Sequence, residues 1–317
     1  MAVYVNTNYS ALQGQRYLGN VQNSLTTTYQ RLSSGMRINS AKDDAAGLQI
    51  ADRLTSQING LNQGNRNASD GIALAQTAEA GMDEISSMLQ KIRTLAVQAN
   101  NGTNTMDDKK ALSKEATALA TEVNRIAKQT TFAGKSILHG AQDNSIAPAP
   151  TAQDKGKAQS ITLQVGSNKG DTISFSLQNL LFSKIAEGGK IAGANGLDDL
   201  FADATKEFTK DNASDSMKVN FSTAGAPEKI IEYMDKMIGY VDGQRADLGA
   251  IQNRLESSIR NQSNVAANEA DARSRIRDAD FAEESANLSQ QSIIQQAAAS
   301  MLMQANTRPQ LGLSLLG

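Results

Sequence analysis

Residues 78–99 read AEAGMDEISSMLQKIRTLAVQA, and the spacing of their apolar residues decides what fold the chain can form. The apolar positions recur at alternating steps of four and three: Ala78, Met82, Ile85, Leu89, Ile92, Ala96 and Ala99. This is the heptad pattern of a helix that packs along one seam against other helices. The stretch therefore predicts a long helix, which ends at Asn100-Asn101-Gly102.

Two further helices have the same kind of seam. Thr105 and Asp108 form a capping-box pattern, and behind them the same rhythm continues at Leu112, Ala116, Leu119, Val123 and Ile126. Pro227 starts a third long helix with its seam at Met234, Ile238, Val241, Leu248, Leu255 and Ile259. This third seam skips a position at Arg245 and at Gln252. A small helical bundle is therefore favoured over a two-stranded coiled coil.

The periodicity changes to two between these helices. Apolar residues alternate with polar ones at Ile161, Leu163, Val165, Ile173, Phe175 and Leu177. The segment 166–171, GSNKGD, is rich in turn residues and lies between the two alternating runs. The pattern predicts a β-hairpin, and Val219 with Phe221 predicts a further short strand. The expected fold class is mainly α, with a small β-hairpin region.

Both ends of the chain are amphipathic but almost free of charge. Residues 285–307 and 17–30 contain no charged residue, and no acidic residue precedes Asp43. Their apolar stripes are Leu18, Val21, Leu25 and Leu32 at one end and Ile294, Ala298, Met301 and Ala305 at the other. A solvated helix normally carries charge on its outer face, and neutral Gln and Asn cost less to bury than ions. The pattern favours burial in an assembly, and packing inside one ordinary globule is the alternative.

Composition excludes several classes of function. The chain has no cysteine, one histidine (His139) and a formal net charge of −2. Thiol catalysis and Cys-based zinc sites are therefore excluded, and no basic excess points to nucleic acid. No apolar run is long enough for membrane insertion, and Met1–Ser10 lacks the pattern of a cleavable signal peptide. The sequence assigns no catalytic, metal-binding or cofactor-binding residue.

Several ordered motifs at both ends resemble bacterial flagellins. The longest is RLSSGMRINSAKDDAAGLQIADRL at residues 31–54. The others are MAVYVNTN at 1–8, RNASDG at 66–71, AQTAE at 75–79, RADLG at 245–249, QNR at 252–254, SRIRDADFA at 274–282 and LSLLG at 313–317. The resemblance covers roughly residues 1–140 and 227–317, and the middle, about 141–226, does not carry it.

The resemblance implies a domain organisation. Residues 1–42 and 277–317 are expected to pair as an inner coiled-coil domain, with the N- and C-terminal helices side by side. Residues 43–276 are expected to form a rod domain of long helices with the hairpin and variable loops at about 141–226. The implied function is a structural, non-enzymatic subunit that polymerises into the bacterial flagellar filament for motility. The implied location is extracellular, in the filament, after export without a cleaved signal peptide.

The resemblance also implies partners and contact residues. Residues expected in self-assembly are Leu18, Val21, Leu25, Leu32, Leu288, Ile294, Met301, Leu313, Leu315 and Leu316. The implied partners are further copies of the chain, an export chaperone at the C-terminal end, and the hook-associated junction and cap proteins of the flagellum. The segment 90–97, QKIRTLAV, resembles the part of flagellin that binds the innate immune receptor Toll-like receptor 5. This resemblance assigns receptor contacts to Gln90, Lys91, Arg93, Leu95 and Glu115.

Three alternatives remain open from the sequence. The first is a hook–filament junction protein of the flagellum, although the complete 31–54 motif and the Leu-Leu-Gly ending argue against it. The second is a surface adhesin. The third is an enzyme such as a glycosidase, but no pair of acidic residues stands out and only 4% of residues are aromatic.

Overall fold

The chain folds into long helices with three small two-stranded sheets. The computed structural model describes residues 7–147, 156–191, 208–211, 216–223 and 225–314, with side chains for all except 208–211, 216, 217 and 308–314. The helices are α1 (Tyr9–Ser34), α2 (Ala45–Ala99), α3 (Met106–Gln129), α4 (Phe182–Gly188), α5 (Ala226–Arg277) and α6 (Phe281–Ser314). The strands are β1 (Thr131–Phe132), β2 (Lys135–Ser136), β3 (Gln159–Gln164), β4 (Thr172–Leu177), β5 (Phe208–Asp211) and β6 (Ser216–Val219). The mainly α class is confirmed.

The fold contains two compact units. The terminal unit is made of Met1–Asn59 and Asn264–Gly317, and the central unit is Gly60–Ser263. The predicted boundary at 42/43 lies between α1 and α2, and the predicted boundary at 276/277 lies before the last residue of α5. The predicted boundaries separate an inner from an outer layer of a filament. They stay a prediction, because a single chain does not contain those layers.

The heptad seam of α2 forms the core of the central unit. All seven of its residues, from Ala78 to Ala99, are at most 1% exposed. Helix α5 packs on this core with a seam of its own: Ile230, Met234, Met237, Val241 and Leu248. Ile238 of the predicted seam is only half-buried, and Met237 takes the inward position.

Polar contacts show that α2 and α5 are antiparallel. The Gln252 side chain donates to Glu79 at 2.9 Å. Closer to the end of α2, the Arg93 guanidinium forms an ion pair with Asp235 at 2.5 Å. Later residues of α2 therefore contact earlier residues of α5. This antiparallel packing is the bundle arrangement that the sequence predicts.

Helix α3 begins at the predicted capping box. The Thr105 hydroxyl accepts from the backbone N–H of Asp108 at 3.2 Å, and the Asp108 carboxylate accepts from the backbone N–H of Thr105 at 2.9 Å. The hydrogen bonds from the Thr105 hydroxyl and then from its backbone N–H lower the pKa of Asp108. Ala116, Ala120, Ala127 and Val123 of α3 are buried in the core, while Leu112, Leu119 and Ile126 are half-buried beside them.

Replacing Thr105 with alanine is expected to reduce the free energy of unfolding by about 1 kcal/mol, because the α3 N–H at Asp108 loses its acceptor. Urea unfolding followed by far-UV circular dichroism measures this loss. Thr103→Ala is the matched control, since Thr103 is exposed and precedes the cap. An equal loss in both variants would contradict a capping role.

The predicted β-hairpin is present, with β3 and β4 antiparallel. Ile161 pairs with Phe175, and Leu163 pairs with Ile173. The loop is closed where the Val165 N–H donates to the Asp171 carbonyl oxygen at 3.0 Å. The hairpin lies close to α2 in the central unit: Ser167 approaches Gly60, Val165 approaches Gly64 and Leu163 approaches Gly71. These three glycines, the glycine stripe, leave room for the hairpin: for its backbone at Gly64 and for the Leu163 side chain at Gly71.

Val219 and Phe221 are both buried beside α3, but only Val219 belongs to a strand. The Val219 N–H donates to the Thr117 hydroxyl at 3.0 Å, and the Phe221 N–H donates to the Ser113 hydroxyl at 2.9 Å. Hydroxyl groups on α3 thus accept hydrogen bonds from backbone N–H groups of this extended segment. Parts of the variable loops expected at about 141–226, namely residues 148–155, 192–207, 212–215 and 224, lie outside the described residues.

Candidate functional site

The terminal unit holds the two charge-poor ends as an antiparallel helix pair. The Asn8 side chain donates to the Ala305 carbonyl oxygen at 2.8 Å, near the start of α1 and towards the end of α6. Gly14 faces Leu302, whose Cδ1 would lie 3.3 Å from a Cβ added at Gly14. At the other end of the pair, Arg31 forms an ion pair with Glu284 at 3.1 Å. The predicted pairing of the N- and C-terminal helices is confirmed.

Loop contacts connect the two chain segments at the ends of these helices. Gly35, with a φ of 69°, caps the C-terminal end of α1. The Arg37 N–H donates to the Arg277 carbonyl oxygen at 2.7 Å, and the Ala279 N–H donates to the Gly35 carbonyl oxygen at 3.0 Å. Ile38, 1% exposed, is buried beneath this connection. The break after α1 and the break before α6 are therefore held together by backbone hydrogen bonds.

Asp43 and Asp44, which lie between α1 and α2, have a structural role. The Asp44 carboxylate accepts from the Gly47 N–H at 2.9 Å and so caps the start of α2. The Asp43 carboxylate accepts from the backbone N–H groups of Ser40 and Asn39, and these hydrogen bonds lower the pKa of Asp43. Among the described residues, no three His, Asp or Glu side chains come together as metal ligands. In the same part of the chain, no helix is both long and apolar enough to cross a membrane.

The predicted self-assembly residues are divided between the helix pair and its surface. Leu25 is buried, and Leu18, Val21 and Leu32 on α1 and Leu288 on α6 are half-buried. Ile294 and Met301 are 41% and 70% exposed. The Leu313 side chain, Leu315 and Leu316 lie outside the described residues.

Exposed apolar side chains are concentrated in the terminal unit. Of the thirteen large apolar residues that the described structure exposes, eleven belong to this unit. They are Tyr9, Leu12, Tyr17, Tyr29, Ile50, Val265, Phe281, Ile293, Ile294, Met301 and Met303. Several of these, including Tyr9, Leu12, Ile293 and Met303, were not singled out from the sequence. The signal that could have found them is the same lack of charge around them.

A groove runs along one side of the α1–α6 pair. It has a volume of about 870 Å³. Its lining residues are Ser10, Gln13, Gly14, Tyr17, Val21, Ile294, Ala297, Ala298, Met301, Gln304, Ala305 and Thr307. None of them is charged, so the groove can accept another uncharged surface without the cost of burying an ion. We call it the terminal groove.

The segment that resembles the receptor-binding part of flagellin lies on α2 in the central unit. Gln90 and Lys91 are exposed, as is Glu115 on α3. Leu95 is half-buried against the core, and Arg93 is held in its ion pair with Asp235, which raises the pKa of Arg93. The seam residues Leu89, Ile92 and Ala96 point inward, as the heptad spacing predicts.

Comparison with known proteins identifies the family at both ends. Residues 5–143 match the bacterial flagellin N-terminal helical region, and residues 231–316 match the bacterial flagellin C-terminal helical region. The unmatched middle agrees with the segment of about 141–226 that carries no resemblance.

Similar proteins agree over the whole length of the chain. Flagellin A of Vibrio cholerae is 36% identical over 379 aligned residues, which cover 100% of both chains. Polar flagellin F of Vibrio parahaemolyticus is 37% identical over 379 residues with the same full coverage. A solved structure of a putative flagellar hook-associated protein from Vibrio parahaemolyticus shares the fold, with a TM-score of 0.55 and 15% identity over 74% of this chain and 100% of that one. The chain therefore belongs to the bacterial flagellins, the structural, non-enzymatic subunits of the flagellar filament.

Proposed function

We propose that the chain polymerises through the surface of its terminal unit, with residues 1–42 and 277–317 forming the inner layer of the filament. The observation that carries this proposal is the concentration of exposed, large apolar side chains in the terminal unit. Soluble proteins rarely leave such a surface uncovered, and an extended apolar surface is typical of an interaction site. Residues 43–276 are proposed to face outward.

The energetics of burial favour this proposal. Fully burying one large apolar side chain contributes about 1.5–3 kcal/mol. Nine of the exposed side chains lie on α1 and α6 themselves. Covering much of that surface would supply a gross term on the order of 10 kcal/mol per subunit before ordering costs. If the contacts join different surfaces of successive copies, they do not close, and an open helical filament grows.

Salt-induced polymerisation tests this function directly. Purified protein is brought to high salt, pelleted and viewed by negative-stain microscopy. Long filaments are expected because salt-induced assembly relies on apolar contacts that contain few repelling charges. A protein that stays monomeric under these conditions, with or without filament seeds, would contradict polymerisation.

The partners of this proposed function follow from the family. The C-terminal end is proposed to bind an export chaperone before assembly. The ends of the filament are proposed to meet the hook-associated junction and cap proteins.

Recognition by Toll-like receptor 5 is a second proposed function. It is supported by the exposure of Gln90, Lys91 and Glu115, which leaves their polar groups accessible in the single chain. Arg93 is already engaged by Asp235. The charge most available to a receptor in this segment is therefore that of Lys91.

Replacing Lys91 with arginine is expected to lower the half-maximal concentration in a receptor reporter assay. Lysine keeps the charge but lacks the planar fork that binds a carboxylate through two hydrogen bonds. A charge-assisted hydrogen bond contributes about 1.5–3 kcal/mol, so a tenfold gain is a reasonable magnitude. Monomeric protein of equal helix content is compared, with Lys110→Arg as the control, since Lys110 is exposed on α3. Equal potency of the Lys91→Arg variant and the parent would contradict the prediction.

A further inference from the structure

The turn after helix α2 contains an Asn-Gly pair, Asn101 and Gly102. The Asn100 N–H still makes an α-helical hydrogen bond, to the Ala96 carbonyl oxygen at 3.0 Å. The Asn101 N–H donates to the Gln98 carbonyl oxygen at 3.1 Å, which is a tighter turn than an α-helix makes. Asn101 and Gly102 are both exposed. The pair therefore lies outside the regular hydrogen-bond ladder of α2.

The groups of this pair that could react with each other are unrestrained. Among the described residues, neither the Gly102 N–H nor the Asn101 Nδ2 group has a hydrogen-bond acceptor. The Asn101 Oδ1 atom faces the backbone N–H of Thr103 at 3.5 Å. An N–H at this place stabilises the negative charge that develops on Oδ1 when a nucleophile attacks Cγ. Gly102 also has no Cβ that would hinder the approach of its nitrogen to that carbon.

We infer that Asn101 is a site of spontaneous deamidation through the Gly102 nitrogen. This nitrogen loses its proton to hydroxide and forms a bond to Cγ of Asn101. The Cγ–Nδ2 bond breaks, and Nδ2 takes up a proton from water and leaves as ammonia. The product is a five-membered succinimide ring between the two residues. No atom is oxidised or reduced, and water is the only co-reactant.

Water then opens the succinimide ring at one of its two carbonyl carbons. The bond from that carbon to the Gly102 nitrogen breaks, and the nitrogen regains its proton. Attack at Cγ gives aspartate, and attack at the main-chain carbonyl carbon gives isoaspartate, in which the chain continues through Cγ. Either product carries an ionised carboxylate at neutral pH, so the formal net charge of the chain changes from −2 to −3.

A second Asn-Gly pair provides a comparison within the same chain. Asn59 and Gly60 lie in the interior of α2. The Gly60 N–H therefore donates to the carbonyl oxygen four residues earlier, and the helical backbone keeps its nitrogen away from Cγ of Asn59. Ring closure there requires the helix to open locally first, so its rate is reduced by the small population of the open state. The third pair, Asn195-Gly196, lies outside the described residues.

Exposure alone does not select Asn101, as the exposed pair Asn39-Ser40 shows. The Asn39 Nδ2 group donates to the Met36 carbonyl oxygen at 2.9 Å. The Ser40 N–H donates to the Asp43 carboxylate, also at 2.9 Å. Both the leaving group and the attacking nitrogen of this pair are thus held by hydrogen bonds. Asn101 differs from this pair in the freedom of both groups.

Peptide mapping of the full-length protein tests the inference. The folded chain is incubated in neutral and in mildly alkaline buffer and is then digested with trypsin. Digestion in water labelled with heavy oxygen marks any deamidation that occurs during this step. Cleavage after Lys and Arg places the three Asn-Gly pairs in separate peptides, residues 54–66, 94–109 and 191–206. Fragment spectra assign the mass gain to a single asparagine, and chromatography separates aspartate from isoaspartate.

Asn101 is expected to deamidate roughly tenfold or more faster than Asn59 in the folded chain, because only Asn59 requires local opening of a helix. The Asn101 rate should rise in alkaline buffer, since the Gly102 nitrogen must lose its proton before it attacks. In concentrated urea α2 unfolds, and the two rates should become similar. Equal rates in the folded chain would overturn the inference, and so would a folded-state rate of Asn101 well below its rate in urea.

Gly102→Ala is the matched variant, because no atom would come within 4 Å of a Cβ added at Gly102. The methyl group hinders the approach of the nitrogen to Cγ, so deamidation of Asn101 should slow by roughly tenfold. The Asn59 rate and the helix content of the chain should stay the same, which makes Asn59 the internal standard. An unchanged Asn101 rate in this variant would show that the Gly102 nitrogen is not the nucleophile and would overturn the inference.

Discussion

Removing residues 277–317 is expected to abolish filament formation and to leave a soluble helical protein. The deletion takes away all of α6, which supplies one wall of the terminal groove and five of the eleven exposed large apolar residues of the terminal unit. It also removes Ala305, Leu302 and Glu284, which are the contacts of Asn8, Gly14 and Arg31 on α1. Polymerisation in high salt, followed by sedimentation and negative-stain microscopy, should show no filaments at any concentration at which the full chain assembles.

The central unit provides the control for this deletion. Its core is made of α2, α3, α5 and the β3–β4 hairpin, all of which the deletion retains. Far-UV circular dichroism and the urea midpoint of the central unit should therefore remain close to those of the full chain. Filaments of the truncated chain would show that α6 is not needed for assembly and would contradict the proposed role of the terminal unit.

Long helices were predictable from the sequence because one strong period ran through them. The seam from Ala78 to Ala99 is buried at every position, and Thr105 with Asp108 forms the expected cap. The third seam was displaced at one point, where Met237 rather than Ile238 faces inward. Adjacent apolar residues make both positions compatible with a helical stripe, and only packing against neighbouring helices selects between them.

Short elements were missed for a different reason. Strands β1 and β2 have two residues each and are joined by Ala133 and Gly134, both with positive φ. Two-residue turns with positive φ usually contain Asn-Gly or Asp-Gly. The Ala-Gly sequence here lacks that signal, so the turn could not be predicted. Helix α4 has seven residues, and its first N–H groups depend on tertiary contacts such as that from Phe182 to the Asn124 side chain. Neither element has a repeat long enough to be recognised in the sequence.

Only part of the candidate site could be predicted from the sequence. The absence of charge in 17–30 and 285–307 indicates burial, but it does not say whether the same chain or a neighbour provides the cover. The structure separates these cases: Leu25 is covered by its own chain, whereas Ile294 and Met301 are exposed. Ile293 and Met303 were missed because Ser289, Gln296 and Ser300 on the same side of α6 are polar, and a search for apolar stripes passes over such a face.

Gly64→Ala is expected to destabilise the central unit, although alanine is the better helix former. A Cβ at Gly64 would lie under 3.0 Å from the carbonyl oxygen of Val165, so the backbone of the hairpin would have to move. Asn67, one turn further along α2, donates to the Gln164 carbonyl oxygen at 2.8 Å and would lose its geometry in the same movement. Overpacking of this kind costs about 1–3 kcal/mol, against a gain in helix propensity of about 1 kcal/mol.

Gly249→Ala provides the matched control, because Gly249 lies in α5 and no atom would come within 4 Å of its added Cβ. This variant should raise the free energy of unfolding by up to about 1 kcal/mol, since only the helix propensity changes. Urea unfolding of the two variants should therefore give shifts of opposite sign from the same chemical change. A stabilising shift in both would mean that the β3–β4 hairpin can move away from the glycine stripe at little cost. A destabilising shift for Gly64→Ala alone would show that the hairpin is fixed against α2 by close backbone packing.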